Sequence, residues 1–178
     1  MWAFSDESER ANARLMAVVL VSPRDAQPAR MSMRALLLAG QRQVHTNGES
    51  SRRRRVVLDT VAGLSVQAVV LRHRPVVGLR PTACRHRLLQ AATGLVVGSG
   101  VTAWTLDDQE ASQRERDRAS IAHSLGGVEP SLHPSYDHRP ASSEPLLWIA
   151  DAICWAAGAG GEWRRRIGAV LTVRDIGP

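Results

Sequence analysis

The strongest constraint on the fold is an alternation of two periodicities along the chain. Short apolar runs at 2–5, 15–21, 65–73 and 101–108 read as strands, and AVLTVRDI near the C-terminus reads as another. Between them lie segments of helical spacing. One covers 25–38, where Met31, Ala35 and Leu38 share a face; another covers 49–64, with Val57, Val61 and Leu64. Further helices are expected over 82–97, 109–125 and 144–157, and a short strand fits within 132–138. The first two strands follow one another through DESERANAR, read as a loop or hairpin connection, so they can pair antiparallel. Strands alternating with helices imply an α/β domain with a mixed central sheet and helices on both faces. A length of 178 residues suits a single domain, 1–178, with a real core, and 44% hydrophobic residues exclude disorder throughout.

Composition narrows the partners. The net charge is +6, and all 23 basic residues are arginine. Arginine presents a planar fork suited to phosphate, so an anionic partner such as RNA or DNA is favoured. An Arg-rich, Lys-free composition also follows from GC-rich codons. No apolar run reaches the ~18–20 residues needed to span a bilayer. The acidic start is unlike a signal peptide, and Cys84 and Cys154 form no CxxC pair. Both cysteines are expected reduced and buried, and the chain cytoplasmic. There is no GxxxxGK[ST] motif. GLVVGSG follows a helix and precedes a strand, the reverse of a phosphate-cradling loop, so no nicotinamide or flavin is expected. No Cys/His spacing suggests zinc.

The acids carry the chemistry. Asp6 ends the first expected strand, and Asp107 and Asp108 end the strand from 101. Ligands bind at the carboxyl ends of strands in open α/β sheets. If these two strands are parallel neighbours, their acids meet, and clustered carboxylates repel unless a cation neutralises them. Magnesium or manganese suits such hard oxygen donors. Asp151 lies in PLLWIADAICWA, an apolar helix expected to be buried, on one face with Glu144, Trp148 and Trp155. Ser143 is the expected cap and Pro145 suits the first turn. Each acid has a structural alternative: Asp6 as a loop acid, Asp107-Asp108 as a helix cap, Asp151 as the partner of a structural arginine.

FSDES followed by a second apolar strand, then LDDQE, then PLLWIADAICWA, resembles the DUF3800 family, whose members look like RNase H-fold proteins. The resemblance spans nearly the whole chain in the right order. It implies an RNase H-like domain holding two divalent ions, Mg2+ or Mn2+. Asp6 matches the first-strand acid, Asp107 the fourth-strand acid with Asp108 as its substitute, and Asp151 the late-helix acid. Glu49, in HTNGES, is the candidate for the remaining carboxylate. The chain departs from the pattern in having Glu9 where the family often has glycine. Only two strands are apparent before the helix at 25–38, where the RNase H topology opens on three.

If the acids assemble, the implied reaction is two-metal phosphodiester hydrolysis, with Asp6, Glu49, Asp107 and Asp151 as catalytic residues. His45 or His138 is a candidate proton shuttle. Arg52 and Arg53, and Arg164 and Arg165, are candidates for gripping nucleic-acid phosphates, their alternative being solvated helix faces. Trp148 and Trp155 read as core and Trp104 as part of a strand, so backbone contacts are expected over base stacking. Two readings compete with a nuclease. One is a non-catalytic RNase H-like module that binds nucleic acid or protein through a degenerate acidic site. The other is a hydrolase of a small phosphorylated molecule. Oligomeric state is not legible.

Overall fold

In the computed structural model, residues 11–12, 75–80, 109 and 178 lie outside the described part of the chain. Strand β1 (Trp2–Arg10) does not stop at Ser5. It runs antiparallel to β2 (Ala13–Val21) from Trp2 opposite Val21 to Arg10 opposite Ala13. The stretch DESER, expected to leave the sheet, is therefore strand, and Asp6 lies mid-strand opposite Ala17. Acids are poor strand formers, but here β2 satisfies the backbone and Arg14 reaches Glu9 directly across the ladder at 2.9 Å.

Strand β3 (Val66–His73) extends the antiparallel order from β2. The three opening strands of an RNase H-like topology are thus present. Two helices, α1 (Pro23–Arg34) and α2 (Ser51–Ala62), are inserted between the second and third. Helix α2 starts two residues after Glu49, where Ser50 Oγ accepts from the Arg53 N–H at 3.3 Å. Strands β4 (Ala103–Asp107) and β5 (Ser135–Arg139) then add in parallel beside β1. Strand β6 (Leu171–Ile176) adds in parallel to β3, giving a six-stranded sheet of order β5-β4-β1-β2-β3-β6.

Alternation along the strands divides two cores. On one face Phe4, Ala17, Val19, Ala68 and Val70 meet α1, α2 and α5 (Pro145–Ala159), with Ile167 beyond α6 (Gly161–Arg166). On the other, Ala3, Met16, Val18 and Trp104 meet α3 (Pro81–Gly98) and α4 (Ala111–Leu125). Trp104 donates to the buried Ser5 hydroxyl at 2.8 Å, which satisfies both polar groups inside that layer. Trp148 and Trp155 are core, as expected, and Cys84 and Cys154 are buried and unpaired. Among the described residues, no helix is long and apolar enough to cross a membrane.

Helix α5 is buried nearly all round, which its composition requires. Its cap is Glu144 and not Ser143: Glu144 Oε1 accepts from the Leu146 N–H at 3.0 Å, while Ser143 bonds to the Pro140 carbonyl. Glu144 is only 3% exposed, and Arg30 of α1 reaches both of its oxygens, at 2.9 and 2.8 Å. The same guanidinium lies over Trp2 and Phe4. One arginine therefore ties the inserted α1 to the start of α5. Arg30→Ala would leave a buried carboxylate without its cation, at a cost of about 3–5 kcal/mol. Chemical denaturation should show that loss as a lowered midpoint.

Candidate active site at the switch point of the sheet

The β1–β4 ladder ends at Ser5 opposite Leu106. One step further come Asp6 and Asp107. Phe4 faces α5, so Asp6 does too, and the parallel register puts Asp107 on that face beside it. Beyond this point β1 continues while β4 stops. A crevice at this end of the ladder, lined by both acids with Ser5, Leu106, Met16, Glu7 and Arg85, lies toward the α3 and α4 side. This is also where the chain departs to opposite sides of the sheet, β2 on one side and β5 on the other, the usual ligand position in open α/β sheets.

Asp151 enters from α5. Its Oδ2 accepts from the Thr46 N–H at 2.7 Å, and His45 Nδ1 stands 3.4 Å from its Oδ1. Both partners belong to a short 3-10 turn and its leading residue in the α1–α2 connection. Arg54 of α2 fastens that turn by donating to the Thr46 carbonyl at 3.0 Å and the Asn47 carbonyl at 2.7 Å. Its guanidinium also sits 4.6 Å over Trp155, whose Nε1–H donates to Asn47 Oδ1 at 3.3 Å. The side chain of Asp151 is thus positioned by a loop that Arg54 and Trp155 hold against α5.

The charges of Asp107 and Asp151 both act on Asp6. Burial pushes the Asp6 carboxyl well above the usual carboxylate range, and the charges of Asp151 and Asp107 push it further. Burial also raises Asp107, opposed by hydrogen bonds from the Ala141 and Asp108 backbone and reinforced by the charges of Asp108 and Asp151. The hydrogen bond to Asp151 raises His45, with help from the charges of Asp151, Asp6 and Asp107 and against its partial burial. Hard oxygen donors at mutual cost form a donor set that suits Mg2+ or Mn2+. The side chains are not gathered into a finished cage, however. Among the described residues, no three acidic, histidine or cysteine side chains form a group that could hold a metal ion as they stand.

The other candidate residues lie elsewhere. Glu49 is buried, but Gln41 donates to it at 3.1 Å and Arg53 approaches at 3.4 Å, so it braces the start of α2. Asp108 turns to Arg114 of α4 at 3.3 Å. His138 is buried on the opposite face, 3.4 Å from Asp117. There Arg85 joins Glu7 to Asp117 and donates to both oxygens of Asp117, at 2.9 and 2.7 Å. Burial pushes Asp117 up, but bonds from Arg85 and His138 and the charge of Arg85 hold it well below the usual range. Arg53 is half-buried and donates to the Leu36 carbonyl, while Arg52, Arg164 and Arg165 are exposed. Neither the loop anchor of Arg54 nor the buried Arg85 cluster has a motif that marks it in the sequence.

The sign of the pH dependence follows for Asp6. Its raised pKa means that the native state holds the proton more tightly than the unfolded chain, so ionisation opposes folding. That cost is absent below the ordinary carboxylate pKa, ~4, and grows as pH rises through and above it. In EDTA, Asp6→Asn should therefore raise the melting temperature at pH 8, and the gain should vanish toward pH 3.5. Thermal denaturation across pH reads both.

No family model matches this chain, and no curated protein matches it significantly. Among solved structures the chain is similar to RNase HII in "Structure of the PCNA:RNase HII complex from Archaeoglobus fulgidus", with a TM-score of 0.56 and 16% identity. The match covers 94% of this chain and 75% of that one. A likeness at this identity is a likeness of fold: the chain has an RNase H-like fold.

Proposed function

We propose that this protein is a divalent-metal-dependent nuclease that hydrolyses phosphodiester bonds of RNA or DNA. The observation that carries the reading is the set of Asp6, Asp107 and Asp151, which come from the central strand, its parallel neighbour and α5, the charge of Asp151 adding to the cost of ionising both strand acids. FSDES, LDDQE and PLLWIADAICWA, the segments behind the resemblance to the DUF3800 family, are the segments that carry these acids. Asp6 would be shared between two ions, with Asp107 and Asp151 holding them from either side. The side chains have to draw in for this, since no finished cage is present among the described residues. Magnesium or manganese bound there would activate a water and stabilise the leaving oxygen. The Thr46 N–H and His45 would hold Asp151 in place meanwhile. His45 is largely exposed, so it would offer a proton at the rim of the site.

One observation favours the second reading, a non-catalytic RNase H-like binding module. Glu49 is tied to Arg53 and Gln41, which leaves three carboxylates where the implied site has four.

Cleavage of end-labelled RNA, DNA and RNA–DNA hybrid oligonucleotides in Mg2+, Mn2+ or EDTA separates the two. The nuclease reading expects metal-dependent cleavage of at least one substrate. Replacing groups that only support a metal ligand typically costs about 10–100-fold, so Asp6→Asn and Asp151→Asn should each cost at least about 100-fold. Cleavage that survives both substitutions contradicts it, and cleavage of none turns the assignment to the binding module.

A further inference from the structure

Helices α2 and α6 and the loop ahead of α2 hold most of the molecule's surplus charge. Residues 41–62 and 161–166 contain eight arginines and three carboxylates, while the whole chain has a net charge of +6. Each of the three carboxylates has an arginine partner within this region. Glu49 is 3.4 Å from Arg53, Asp59 is 2.6 Å from Arg166, and Glu162 is 3.2 Å from Arg55. The last two pairs bridge α2 to α6, and Arg55 also lies over the Trp163 ring at 5.5 Å. These contacts fix the two helices side by side in parallel. They also leave Arg42, Arg52, Arg164 and Arg165 exposed with no ion pair among the described residues.

The position of this surface matters as much as its charge. Arg42 lies three residues before His45, in the loop that bonds Asp151. Gln41 next to it is bonded to Glu49, which keeps this part of the loop at the first turn of α2, where Arg52 stands. Arg54, two residues later, fastens the same loop. Arg165 directly precedes Arg166, which is paired to α2. Exposed guanidinium groups with no ion pair among the described residues thus stand on three adjoining elements in a row: the loop that bonds Asp151, the first turn of α2, and α6.

We propose that this row is the track for a nucleic-acid strand several nucleotides long, gripped by its phosphates, so that the substrate class is a polymer and not a nucleotide-sized phosphate ester. This inference rests on the nuclease reading for its direction, since the track leads to the acidic site. The partner follows from charge complementarity: exposed forks spread over a loop and two helices suit a repeated phosphate and leave sequence unread. A single bound phosphate needs one pocket, whereas charges spread over a loop and two helices match a chain of them. Helix α6 is too short to act through its N-terminus, and its arginines carry the argument.

The test is fluorescence anisotropy with labelled 20-nucleotide DNA, RNA and hybrid in EDTA, using Asp6→Asn so that neither metal nor cleavage enters. Binding should fall steeply with salt. The triple variant Arg42→Gln/Arg52→Gln/Arg165→Gln should weaken it at least tenfold and lower the salt slope by about 2, since each phosphate contact contributes ~0.7–0.9. A control triple, Arg24→Gln/Arg118→Gln/Arg174→Gln, changes the net charge equally away from the track and should stay within threefold. The three probes show which nucleic acid is preferred. Equal loss in both triples, no binding at 50 mM salt, or binding of anionic phosphatidylserine vesicles in place of oligonucleotides would overturn the track. Because cleavage plays no part, the track can fail while the nuclease reading stands, and the reverse holds too.

Discussion

The parallel ladder between β1 and β4 stops at Ser5 and Leu106, and one step further stand Asp6 and Asp107. Much of the candidate site follows from that ending. While the ladder lasts, the residues facing α5 are covered by a buried, apolar helix, where an ionised group would be costly. Where it ends, β1 continues with β2 alone and a crevice opens. The acids stand at the boundary, half-buried, and burial raises the cost of ionising both. Asp151 lies on the same helix that covers the sheet, so the element that builds the core also supplies the third carboxylate.

The two faces of β1 treat their acids in opposite ways. Glu7 points toward α3 and α4 and is met by Arg85, which also grips Asp117. Folding stabilises the charge of Asp117, a contribution that is full above the ordinary carboxylate range and is lost as pH falls from that range down through the depressed native pKa. Asp6 points toward α5 and meets Asp107 and Asp151, whose charges add to its burial. The same strand thus carries one acid met by a guanidinium and a neighbouring acid that stands among carboxylates.

Much of this was legible in the sequence. Among the described elements, periodicity located β1 to β4 and α1 to α5, which bury a face whose spacing is visible along the chain, whereas the edge strands β5 and β6, with no buried apolar residue, are expected only as a short strand fitting within a loop and as a C-terminal apolar run. Helix α6 was missed: GEWRRR is too short for a period, and Gly160 and Gly161, both at positive φ, hide its start. The length of β1 was missed because DESER is polar, and strand length there is set by pairing with β2, a tertiary fact. At the site, Asp6 and Asp107 follow from strand ends and Asp151 from a buried helix face, and the structure sets Asp6 beside Asp107 on the side that α5, with Asp151, covers. Glu49 was chosen for its position before α2 and pairs instead with Arg53, four residues on. Which of Asp107 and Asp108 faces α5 depends on the parity of β4, and the role of Arg54 depends on a loop conformation that no local pattern encodes.

Isothermal titration of Mg2+ and Mn2+ into the wild-type protein and into Asp6→Asn, with the melting temperature followed in parallel, tests the central claim most directly. If Asp6, Asp107 and Asp151 form a cation site, metal binds the wild type and raises its melting temperature, while Asp6→Asn shows neither effect. If millimolar metal leaves both proteins unchanged, or moves both alike, the carboxylates are not a metal centre and the account is contradicted.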